Sequence, residues 1–279
     1  MVSRFAHDTG VVPLGDGRYE ANIDRGWWIV RGPNGGYVAA IVLRAMAAAV
    51  GDESRHPRSL TVHYTAPPVE GPAEVHTTIE RKGRSITTAS ARLVQGGRTC
   101  AFAIGAFSDA WPGPEVQDRS RPVAPPPEQC KPNAPRPAGG PLPAQGDFTP
   151  PPLIDRYDMR WAIGAPPRTD GDQAVAGGWI RFADPQTVDA FAAAAIADAW
   201  IPPIFSRVAE PMVVPTIDLT VHFRSTLPLP GAADDDWLLC MFRTTVVQEG
   251  FLEEDGEIWS RDGRLIAHSR QLAVAMPFV

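Results

Sequence analysis

Leu60-Thr61-Val62-His63-Tyr64 recurs as Leu219-Thr220-Val221-His222-Phe223, an offset of 159 residues (219 − 60). In both copies apolar side chains alternate with Thr and His, the period-two pattern of a strand with one buried face. A hairpin signal follows each copy: Gln95-Gly96-Gly97-Arg98 in the first, Arg261-Asp262-Gly263-Arg264 in the second, with Arg98 and Arg264 standing 166 apart (264 − 98). An Ala-rich helical pattern precedes each. Near-constant spacing across these features predicts two copies of one supersecondary unit.

The first helix is expected to start near Pro33-Asn34-Gly35 and to stop at Gly51, which suits a left-handed C-terminal cap. Its body, Tyr37 to Ala49, carries one charge, Arg44. The second is expected to open at Asp184-Pro185, an N-cap followed by proline, and to stop at Pro202-Pro203, with Asp189 and Asp198 as its charges between Val188 and Trp200. A helix apolar nearly all round is buried on most sides. Strand patterns follow each helix: Leu60 to Tyr64, Val75 to Ile79 and the pair around Gly96-Gly97 in the first half; Trp237 to Val247, Glu257 to Ser260 and Leu265 to Met276 in the second. An antiparallel sheet curled around one buried helix satisfies both sets. The expected architecture is α+β: a hotdog unit, twice.

Residues 112–152 hold 14 of the 30 prolines, a density that no helix interior or central strand survives. The expected organisation is a first unit over 1–111, a proline-rich linker over 112–152 and a second unit over 153–279.

Composition narrows the function. A net charge of −6 argues against a nucleic-acid partner, which needs a basic face. Cys100, Cys130 and Cys240 are odd in number and widely spaced, so neither a disulfide framework nor a zinc site is expected, and no other metal or cofactor is called for. Residues Met1 to Gly10 contain His7 and Asp8 where a signal peptide needs an apolar run, and the apolar stretch Gly35 to Val50 is too short for a bilayer and contains Arg44. The expected setting is cytoplasmic, with no membrane span.

The run Gly35-Gly36-Tyr37-Val38, the Leu-Thr-Val-His-Tyr strand, and in the second half Ala197-Asp198, Pro215-Thr216-Ile217-Asp218 and Arg270-Gln271 together resemble the type II acyl-CoA thioesterases, a double-hotdog family. The resemblance covers most of the chain outside the linker. It implies an acyl-CoA substrate and a water held and activated by an Asp on the second helix, a Thr starting the next strand and a Gln on the last strand. These fall on Asp198, Thr216 and Gln271. The residue after Gly36 is Tyr37, where some relatives have an amide.

The residues themselves carry part of that reading. Helical spacing places Asp198 with Phe191, Ala194, Ala195 and Ile201, and a carboxylate on such a stripe has its pKa driven up toward a general base's range. Read alone, it is as well explained as a buried Asp near the Pro202-Pro203 stop. Gln271 can donate and accept at once, as holding a water requires. At the same offsets Thr216 matches Pro57 and Gln271 matches Gly105, and the first helix has no carboxylate, so one active site per chain is expected.

Gly35 and Gly36 could present backbone N–H groups to an oxyanion or could simply permit close packing; the residues leave both open. His63 and His222, being repeated, read as structural, and Asp218 as solvated. No Gly-x-Ser-x-Gly occurs, which disfavours a serine hydrolase. The rival readings are a non-catalytic acyl-CoA-binding protein and an enoyl-CoA hydratase or dehydratase. Trp27, Trp28 and Trp200 are candidate pocket walls, and exposed sheet edges suggest a homodimer or higher homo-oligomer.

Overall fold

The computed structural model describes residues 2–133, 150–169 and 171–277. A short helix α1 (Arg4–Asp8) leads into strands β1 (Val11–Gly15) and β2 (Arg18–Ile23), helix α2 (Gly35–Val50), then β3 (His56–Tyr64), β4 (Gly71–Lys82), β5 (Ile86–Gln95) and β6 (Arg98–Ser108). The second half runs β7 (Tyr157–Ile163), β8 (Ala174–Phe182), helix α3 (Ala190–Ile196), β9 (Met212–Val213), β10 (Thr216–Phe223), β11 (Leu238–Thr244), β12 (Val247–Gln248), β13 (Phe251–Trp259), β14 (Leu265–Val274) and β15 (Met276–Pro277).

Twelve of these strands lie side by side in the order β1-β2-β4-β5-β6-β3-β10-β14-β13-β11-β8-β7, with β12 paired to β13 and a separate β9–β15 pair. From either end inward the order is the same: a hairpin's two strands, three further strands, then the strand carrying the repeated pentapeptide. The two copies of that pentapeptide form the seam. β3 and β10 pair antiparallel, Leu60 opposite Val221, Thr61 opposite Thr220 and Val62 opposite Leu219, and the two Thr hydroxyls meet at 3.0 Å. Leu60, Val62, Leu219 and Val221 are all fully buried. This is a double hotdog: each half-sheet covers its helix, and one continuous sheet joins them.

Helix α2 forms as its sequence suggests. Asn34 accepts the Tyr37 N–H at its N-terminus, and Gly51 closes the other end in the left-handed conformation at φ 63°. Helix α3 is shorter than its sequence suggests. Its cap is Asp189, whose carboxylate accepts the Ala192 N–H, and not Asp184. Residues 185–189 stay outside the helix, tied to the loop before β11 where Gln186 N–H donates to Asp234. The helix ends at Ile196, and tight turns (Asp198 N–H to Ala195, Ala199 N–H to Ile196) carry the chain on. Asp198 therefore stands one residue past the C-cap, Ala197, and Ile201, expected on its face, is exposed.

The helices run antiparallel. Arg44, late in α2, lies over the Phe191 ring at 4.3 Å and 3.7 Å from Asp189, while Gly36 at the start of α2 abuts Ala195 at the end of α3. Residues 112–133 of the proline-rich stretch cross the outer face of the second half-sheet, where Pro125 accepts the Trp179 indole N–H at 2.7 Å and Pro127 accepts from Arg160. Residues 134–149 of that stretch lie outside the described residues. Trp27, a suggested pocket wall, is instead core: it is buried, stacked on Tyr37 at 5.1 Å and bonded to Asp8 at 2.9 Å. No helix among the described residues is long and apolar enough to cross a membrane.

Because the inner face of the seam is fully buried, the halves are expected to unfold together. Leu60→Ala should lower stability by about 2–5 kcal/mol and leave a single urea transition. Two separated transitions, one half outlasting the other, would contradict this.

Candidate active site

The site forms where the N-terminus of α2 meets the turn after α3. Gly36 N–H donates to Asp198 Oδ2 at 2.9 Å. Asn34 uses both ends of its amide: its oxygen caps α2 through Tyr37 N–H at 3.0 Å, and its Nδ2 reaches Asp198 Oδ2 at 3.0 Å and the Asp198 carbonyl at 2.6 Å. A carboxylate at a helix N-terminus also meets the positive end of the helix dipole. Burial drives the Asp198 carboxyl up to about 6, and the Gly36 and Gly35 amides with the Gln271 and Asn34 side chains hold it from rising further.

This contact explains the glycine pair. A Cβ on Gly36 would lie 2.5 Å from the Ala195 carbonyl and 3.0 Å from Asp198 Cβ, and one on Gly35 would lie 2.9 Å from Asp198 Oδ2. Tyr64 closes the other side by donating to the Gly35 carbonyl at 2.8 Å.

Thr216 and Gln271 come together through an irregularity in β10. Strict alternation would turn Thr216 away from the face that Leu219 buries. A register shift between Thr216 and Asp218 puts two residues of β10 against one step of β14, so Thr216 pairs with Ala273 on the inner face. Its hydroxyl then donates to Gln271 Oε1 at 2.9 Å. Gln271, opposite Leu219, is buried, whereas Asp198 and Thr216 keep partial access to solvent.

A further carboxyl sits behind them. Glu254 of β13 pairs with Gln271 of β14, is 4% exposed, and accepts the Gln271 Nε2–H at 2.7 Å. Burial and the Asp198 charge push it up to about 8, with the Gln271 hydrogen bond opposing. Sequence reasoning missed it because it began this strand at Glu257, which left Glu254 outside any strand and so without a buried face. In a strand, one of three consecutive acids must face the opposite way from its neighbours.

The first half has no counterpart. Gly105 stands opposite Leu60 as Gln271 stands opposite Leu219, and Ala89 takes the place of Glu254. The space is filled: a Cβ on Gly105 would come within 3.0 Å of the Met46 methyl. His63 and His222 lie on the exposed outer face, away from Gln271. Among the described residues, no cluster of His, Cys, Asp or Glu has the makings of a metal site.

Both acids titrate above their unfolded values, so the native state binds more protons than the unfolded chain between about pH 4 and pH 8, and stability falls as pH rises through that window. Neutral Asp198→Asn and Glu254→Gln should each be more stable than wild type at about pH 8, by on the order of 2 kcal/mol, with the gain vanishing toward pH 4. Urea midpoints across pH check this; a loss of stability at pH 8, or a gain independent of pH, would contradict it.

Comparison with known proteins adds an independent line. The sequence model for the acyl-CoA thioesterase N-terminal domain matches residues 24–108, and that for the acyl-CoA thioesterase C-terminal domain matches residues 127–275. An uncharacterized protein of Mycobacterium tuberculosis is 27% identical over 274 residues, covering 92% of this chain and 90% of that one. A conserved protein of unknown function with a hot dog fold from Alicyclobacillus acidocaldarius superposes with TM-score 0.85 at 24% identity, covering 99% of this chain and 98% of that one. The acyl-CoA thioesterase II of Mycobacterium marinum superposes with TM-score 0.75 at 20% identity, covering 98% of each.

Proposed function

The chain belongs to the acyl-CoA thioesterase family, and we propose that it hydrolyses acyl-CoA to free acid and coenzyme A through a water activated by Asp198. The observation that carries the reading is the meeting of three groups in one half. The Asp198 carboxyl, raised toward neutrality, interacts with the Gln271 side chain, which accepts the Thr216 hydroxyl hydrogen, and this hydroxyl–amide pair can fix a water.

In this reading Asp198 takes a proton from the water, the Thr216 hydroxyl oxygen accepts a hydrogen bond from the water's other hydrogen, the remaining Gln271 N–H donates to the water's oxygen, and the water attacks the thioester carbonyl. The tetrahedral intermediate collapses, the C–S bond breaks, coenzyme A leaves as a thiolate, and Asp198 gives up its proton to the thiolate or to solvent, which regenerates the carboxylate. A carboxyl near 6 is ionised at neutral pH yet basic enough to accept the proton. Gly35 and Gly36 are assigned to holding Asp198 and not to the oxyanion, because the Gly36 N–H is already committed to Oδ2. The first half serves as scaffold, since Met46 and Gly105 occupy its corresponding place. A cytoplasmic setting and a homo-oligomeric assembly complete the proposal.

Release of free thiol from short- to long-chain acyl-CoAs tests it. Wild type should turn over part of the series, with kcat/KM falling below about pH 6 as Asp198 protonates. Asp198→Asn should lose about 10²–10⁴-fold in kcat while remaining folded. Full activity in that variant would remove Asp198 from the mechanism. Binding without turnover in wild type would leave an acyl-CoA-binding protein.

A further inference from the structure

Resting on the assignment of Asp198 as base, the geometry points to a fourth member of the site. We propose that Glu254 is a positioning residue: acting through Gln271, it fixes the amide that holds the attacking water, and it carries the one proton that the two buried acids keep at neutral pH.

The orientation of the amide is a matter of donors and acceptors. A primary amide presents an oxygen on one side and two N–H groups on the other. Thr216 meets Gln271 at its oxygen, and Glu254 meets it at its nitrogen, at 2.9 and 2.7 Å. The remaining N–H is left for the side of the amide that acts on Asp198, where the water would take it up. With Glu254 replaced by an apolar residue, the amide loses the partner that defines its nitrogen side and is free to turn.

The place of the proton follows from unequal surroundings. Two carboxyls that share a buried space do not both ionise readily, and the one with more donors ionises first. Asp198 has Gly36 N–H and Asn34 Nδ2 within 3.0 Å and opens partly to solvent. Glu254 has one donor, Gln271 Nε2, and is buried. Among the described residues, the charged group that bears on Glu254 is Asp198, from the turn after α3. From β14 it faces Gln271; on β11 the next register position beyond Arg243↔Asp255 is Thr244, a neutral group, buried, with Oγ1 lacking a hydrogen-bond partner. Among the described residues nothing cationic offsets a second negative charge there, so the resident proton belongs on Glu254. Asp198 is thereby left ionised and ready to accept a proton from water.

The test pairs spectroscopy with kinetics on the full chain. Infrared difference spectra between about pH 6 and pH 9 should show wild type losing a buried carboxylic-acid carbonyl band as Glu254 ionises. Glu254→Gln should lack that band, and Asp198→Asn should lose it at lower pH, because the neighbouring charge is gone. A band unchanged in Glu254→Gln overturns the proton assignment. In thiol-release assays Glu254→Val should lose about 10- to 100-fold in kcat with KM little changed, and Glu254→Gln, which keeps an acceptor oxygen, should recover most of that loss. Wild-type turnover in Glu254→Val, or no recovery in Glu254→Gln, overturns the positioning role. Absence of wild-type hydrolysis would sink the proposed activity alone, since the infrared arm reads Glu254 without turnover.

Discussion

One hydrogen-bonded contact organises this molecule: the N-terminus of α2, in the first half, grips the Asp198 carboxylate of the second. A carboxylate taken out of water must be paired or hydrogen-bonded, and here backbone and amide N–H groups supply the partners without supplying a full positive charge. The result is a carboxyl that is held but not silenced, since an Arg or Lys in the same place would drive it far down. The grip also dictates local sequence. It needs glycine at 35 and 36 so that the elements can close, an Asn at 34 whose two ends serve two elements, and a helix α3 that stops before Asp198.

The duplicated scaffold explains how such a site can be asymmetric. The seam between β3 and β10 places equivalent strands side by side, so each half-sheet covers the other's edge. Stability and chemistry can then be divided. The first half fills its space with Met46 against Gly105 and carries no buried acid there, while the second half keeps Gln271 and Glu254 at the matching positions. Two acids above their ordinary range cost the folded state stability at neutral pH, a cost the rest of the double core must offset.

Much of the architecture was legible in the sequence because it rests on local rules. The repeated pentapeptide, the Gly51 stop and the Gly96-Gly97 turn each announce their geometry. Other features depend on tertiary context. The start of α3 was misjudged because Asp184-Pro185 satisfies the helix-start rule as well as Asp189 does, and only packing decides between them. The inward turn of Thr216 rests on a bulge, which alternation alone does not reveal. Asp198, Thr216 and Gln271 were named through resemblance; their meeting is geometric. Glu254 stayed hidden because it lies within an acidic run whose strand begins at Phe251, earlier than its composition suggests.

The central chemical claim is that water, and not the Asp198 carboxylate itself, attacks the thioester. The most direct measurement is a single turnover in ¹⁸O-water with enzyme in excess over acyl-CoA, followed by mass analysis of the acid and of the peptide bearing Asp198. Direct attack by water predicts one ¹⁸O in the released acid and none in Asp198. An unlabelled acid from the first turnover, with ¹⁸O in Asp198, would mean an acyl-enzyme anhydride and would contradict the account.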